Sequence, residues 1–132
     1  MVNATLRLHV LDQILSDPIQ IEAYPLLHAW NADEATWEQA TNTDPWSAPG
    51  ASSTLDRTRL PSAVSTDIVP GQDAILDLTS IIQIWRQHPD SAHGLLLRAS
   101  TNSAQSVRIA SFEYSLTRWR PRLEISLLGQ RP

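Results

Sequence analysis

The chain carries one carboxylate in a position that invites a chemical reading. In SFEYSLTRWRPRLEI, residues 111 to 125, Glu113 lies between two runs with strand-like character, and Arg118, Arg120 and Arg122 follow within nine residues. A carboxylate acting as general acid or base needs a second positioned group and a perturbed pKa. The sequence supplies neither. There is no G-x-S-x-G elbow, no H-E-x-x-H and no phosphate-cradling loop, and only four glycines in all. His9, His28, His88 and His93 lack the i, i+4 spacing of metal ligands, so they read as surface or hydrogen-bonded residues. Asp33, Glu34 and Glu38 offer oxygens that could hold a structural calcium, but without a D-x-D-x-D run the expectation is no cofactor and no metal. The chemistry that remains is recognition. Aromatic faces stack on the C–H surfaces of sugars, and arginines bind hydroxyls and carboxylates. Of five tryptophans, Trp46 lies in a Pro/Ser/Gly loop and Trp119 between two arginines, places where a large ring is hard to bury. Trp46 and Trp119, with Arg118 and Arg120, form the candidate carbohydrate site.

These residues must be positioned by a chain of 132 residues, long enough for a single domain spanning 1–132 and too short for two. Its net charge is −4, and all ten basic residues are arginine, which argues against a nucleic-acid binder and removes lysine chemistry. No cysteine is present, so no disulfide framework or thiolate enters. No apolar run reaches the roughly 20 residues of a membrane span, and MVNATLRLHVL lacks the charged and apolar regions of a signal peptide.

Periodicity gives the elements. Residues 4 to 11 alternate Ala4, Leu6, Leu8 and Val10 with Thr5, Arg7 and His9, the pattern of a half-buried strand. Residues 19 to 24 repeat it after an Asp17-Pro18 turn signal, and 94–100, 107–114 and 122–128 predict three more strands. Shorter strands are expected at 63–69 and 74–76, inside a long stretch rich in Ser, Thr, Pro, Gly and Asp. One segment changes period: Leu78, Ile81, Ile82 and Trp85 fall at i, i+3, i+4 and i+7, with Asp77 or Thr79 available as N-cap and Pro89 as a stop. The pattern predicts an all-β antiparallel sandwich with one short helix around 78–87.

The ordered motifs ATLRLHV, AWNADEATWEQA, PWSAPG, DLTSIIQIW, HGLLLRAS and SFEYSLTRWRPRLEISL resemble the DNRLRE-type domain, also described as carbohydrate-binding module family 96. The resemblance covers nearly the whole chain. It implies a β-jelly roll and a non-catalytic module of secreted or cell-surface proteins. It also places Glu113 and Arg120-Pro121 on the family's terminal E…RP signature, which implies a structural lock in which Glu113 accepts hydrogen bonds from Arg120. Trp30, Trp37 and Trp85 fall on family motifs beside apolar neighbours, which implies core or core-edge packing.

Two functions follow as expectations. One is a carbohydrate-binding or adhesion module for an acidic polysaccharide. The other is a structural subunit of a surface layer or filament. The family has further strands before its A-x-LRL-x-V motif, which begins here at residue 4, so an open sheet edge is expected, filled by a strand from a neighbouring chain.

Overall fold

The computed structural model describes residues 2–13, 19–100 and 106–127. The chain is mostly β with antiparallel pairing and one helix. Strand β1 (Val2–Gln13) is followed by β2 (Ile21–Pro25), β3 (Ala63–Val64), β4 (Asp73–Asp77), helix α1 (Thr79–Gln87), β5 (Leu95–Ala99), β6 (Val107–Ile109) and β7 (Arg122–Leu127). No helix of the described residues is long and apolar enough to cross a membrane.

The strands form two sheets. In the first, β1 is central: β4 pairs along one side of it, while β7 and then β6 pair along the other. The second has the order β3-β2-β5. The alternation seen in the sequence explains the core between them. Val2, Ala4, Leu8 and Val10 of β1 face Ile21 and Ala23 of β2, joined by Ala74 and Leu76 of β4 and by Ile81 and Ile82 of α1 in one buried cluster. Both sheets contribute their apolar faces to a single interior, as the sandwich pattern predicts.

Helix α1 begins one residue inside its predicted span. The Asp77 carboxylate accepts the backbone N–H of Thr79 at 3.0 Å and its hydroxyl at 2.6 Å, and these bonds hold Asp77 below the usual carboxylate range. The N-cap position itself is Leu78, so neither Asp77 nor Thr79 occupies it; Asp77, one residue earlier, still satisfies a donor that the first helical turn leaves orphaned. Trp85 is partly buried against the core cluster, as expected from its position on the apolar stripe.

Two predicted strands come out shorter. The run 107–114 is strand only to Ile109; after it the chain turns, with Tyr114 N–H bonded to Ser111 O. The run 63–69 keeps only Ala63 and Val64. Asp17-Pro18 and Leu128 lie outside the described residues.

Candidate interaction surfaces

Three surfaces combine exposure with unusual side chains. The first is a knot in the excursion between β2 and β3. Asp56 is 1% exposed, and its carboxylate accepts from His28 Nε2 at 2.9 Å, Ser47 N–H at 2.9 Å and Ala48 N–H at 3.2 Å. Burial works against this charge, but the bond from His28 and the two N–H groups outweigh it and leave Asp56 below the ordinary range. The Asp56 bond raises the His28 pKa, and the other ring nitrogen faces Ala29 O at 3.1 Å. Both partners only accept, so the protonated ring is the form that can bond to both. Beside it, Arg57 lies 4.4 Å from the Tyr24 ring centroid and donates to the carbonyls of Ser52, Thr58 and Arg59. This arrangement fastens the loop to the end of β2.

The second surface is an open groove of about 700 Å³ between α1 and the end of β2. Leu26, Leu27, Ile84 and Trp85 line it, with His88 and Asp90 among its polar margin.

The third is the margin formed by β7. Its register with β1 sets Val2 opposite Leu127, Ala4 opposite Ile125 and Leu6 opposite Leu123. Opposed residues of an antiparallel pair share a face, so all three β7 side chains project from the face that carries the core. Yet Leu123, Ile125 and Leu127 are 46%, 50% and 68% exposed, while Val2 and Ala4 are buried. The backbone adds a second feature. Ala4 directs its N–H to Thr79 Oγ1 and its carbonyl to Leu78 N–H, on the β4 side. The alternate residues Asn3, Thr5 and Arg7 therefore bond toward β7, to Ser126, Glu124 and Arg122. Leu123, Ile125 and Leu127 are left with their N–H and C=O groups pointing outward along an edge that no described residue pairs.

The residues singled out from sequence are distributed as follows. Trp119 stacks on His9 of β1 with ring centroids 4.5 Å apart, and Arg118 lies 5.3 Å from the Trp119 ring centroid. Trp46 tilts against His28 and donates its indole N–H to Thr36 O. The two tryptophans thus belong to separate clusters, one anchored on β1 and one on the loop after β2.

The Glu113 lock is not formed. Glu113 is exposed in the turn after β6, and Arg120 donates instead to Tyr114 O at 2.7 Å. The chain leaves the sheet at Ala110, so Glu113 has no strand to hold it opposite an arginine. Core packing of Trp37 is likewise corrected. Its ring is 72% exposed and lies over Gly50, whose φ of 72° and missing Cβ make room for the indole. Trp30 is also outside the core, beside Gly94 with its indole N–H donated to His93 O.

Glu34 accepts the N–H of Asn42, Asp33 and Glu38 stay exposed, and no group of three or more His, Asp or Glu among the described residues could hold a metal ion. His28 is hydrogen-bonded, as its sequence reading allowed, but sequence reasoning missed its partner Asp56; an adjacent Asp56-Arg57 pair inside a long polar loop is the signal that could have marked a buried polar knot. No family model matches the chain, nor does any curated protein or solved structure.

Proposed function

We propose that this chain is a non-catalytic sandwich module of the jelly-roll type that works by assembly, its open margin closed by a β-strand from another chain. One observation carries the reading: Leu123, Ile125 and Leu127 project from the core face of the sheet, 46% to 68% exposed, along a strand whose outer edge no described residue pairs. Full burial of such a side chain is worth about 1.5–3 kcal/mol, and a strand paired alongside, whose own side chains flank these three and cover part of each, gains a fraction of that beside its backbone bonds. Unprotected edges of this kind recruit other chains. β7 has no bulge against β1 and no charge on its core-facing side. The motif order that resembles the DNRLRE-type domain supports a module of a secreted or surface protein. A benzophenone amino acid placed at residue 127 tests the reading by photo-crosslinking in the native cell. A crosslinked chain is expected from 127 and none from a control at Leu60, which is exposed away from the sheet. Absence of any adduct from 127 overturns the reading.

A second reading, carbohydrate binding, is favoured by the groove, where the partly exposed Trp85 ring stands with Leu27 and Ile84 beside His88 and Asp90. Affinity electrophoresis in polygalacturonate tests it, along with the alternative platform at Trp119 and Arg118. Retardation lost in Trp85→Ala assigns the sugar to the groove, and retardation lost in Trp119→Ala and Arg118→Ala and weakened by salt assigns it to the arginine cluster.

A further inference from the structure

We infer that the strand received by β7 is β7 of a second copy, paired antiparallel across a two-fold axis at Ile125. The inference rests on the strand-accepting reading above and names its partner. The sequence of β7, Arg122-Leu123-Glu124-Ile125-Ser126-Leu127, is apolar and polar in alternation and symmetric about Ile125. With the axis at that residue, Ile125 opposes its own copy, Leu123 opposes Leu127 of the copy, and Glu124 opposes Ser126. The residues brought face to face are the three whose N–H and C=O groups point outward, so each meets a partner that can bond with it. A two-fold axis perpendicular to the sheet keeps both core faces on one side. The two exposed apolar rows then adjoin.

Neighbouring registers are worse. An axis at Glu124 sets two carboxylates against each other, and like charges directly opposite are destabilising. An axis at Leu123 brings Ile125 opposite Pro121, which has no N–H to give. Of these three registers, the Ile125 axis alone matches apolar with apolar, avoids opposed charges and uses every outward backbone group of Leu123, Ile125 and Leu127. The strand β5, at one margin of the second sheet, is a poorer match for itself: an axis at Leu97 sets Leu96 against Arg98. Because the contact is isologous, it closes as a dimer rather than growing into a fibre.

The chain has no cysteine, so a single introduced thiol reports one contact. In a hydrogen-bonded antiparallel pair the Cα atoms lie about 5.5 Å apart, within disulfide range. Ile125→Cys is expected to oxidise to a covalent dimer in most chains. Leu123→Cys alone is expected to remain monomeric under the same oxidation, while a mixture of Leu123→Cys and Leu127→Cys crosslinks. Light scattering on the unmodified chain should give twice its 14.7 kDa mass, and Ile125→Lys should return it to the single mass with a melt that stays cooperative and no longer varies with protein concentration. A single-chain mass at high protein concentration with no Ile125→Cys dimer overturns the second copy as partner. If photo-crosslinking from residue 127 then captures a different chain, the strand-accepting reading survives; if it captures nothing, both fall. A Leu123→Cys self-crosslink as efficient as that of Ile125→Cys, or a dimer that persists in Ile125→Lys, overturns the register.

Discussion

The excursion between β2 and β3 and the one between β6 and β7 both contain tryptophan, arginine and carboxylate side chains, and they end in opposite states. In the first, Asp56 is sealed from water and holds three donors, and the neighbouring Arg57 donates to three backbone carbonyls. In the second, Glu113 is exposed, and Arg120 donates to a single carbonyl six residues earlier. Charge is available in both. The difference is backbone. The longer loop folds over the end of β2, supplying two N–H groups to the acid and three C=O groups to the terminal nitrogens of the arginine, whose buried Nε alone lacks a partner, whereas the shorter one has only its own turn. A buried charge persists where the surrounding main chain replaces its hydration.

The sharpest way to break this comparison is to remove the buried acid. Asp56→Ala leaves His28 and two N–H groups without their acceptor and should destabilise the fold by about 3–5 kcal/mol, measured by denaturant unfolding. A loss no larger than that of a surface substitution would mean that the loop closes without its knot. Next in size is Gly50→Ala, expected to cost about 1–3 kcal/mol, because a side chain at positive φ is strained and its Cβ would collide with the Trp37 ring. Retention of the wild-type melting temperature in that variant would show that the Trp37 indole moves aside freely.

A smaller effect separates the two excursions by pH. The His28 pKa is raised above its ordinary 6.5, so its charge-dependent contribution is complete below that pH and is lost as pH rises through the folded value. The Asp56 pKa is lowered below 3.8, so its contribution is complete above that pH and is lost as pH falls through the folded value. The knot is strongest between these limits, in mildly acidic solution. The melting-temperature gap between wild type and His28→Gln should therefore be widest near pH 5 to 6 and narrow above neutrality; a gap independent of pH would show that the ring is held neutral. Smallest of all, Glu113→Gln should change stability by no more than about 0.5 kcal/mol, as for a surface site without a partner. A loss of several times that amount would restore the lock and erase the contrast between the loops.

The sequence by itself determined the local elements. Period-two alternation in 4–11, 19–24 and 122–128 and the apolar run in 94–100 marked four strands, and the i, i+3, i+4, i+7 spacing with Asp77 ahead of it marked α1 to within a residue, because each pattern is written in consecutive side chains. It did not determine which ring would be buried or which charge paired. Trp37, beside apolar neighbours in the chain, rests on Gly50, and Glu113, near three arginines in the chain, bonds to none among the described residues. Those outcomes depend on residues brought together from distant parts of the chain. The alternation of β7 is the pattern of one apolar and one polar face. Only the tertiary structure decided that the apolar face of Leu123, Ile125 and Leu127 stays open, because burial requires a covering layer, and a strand's own residues cannot report whether another element lies over them.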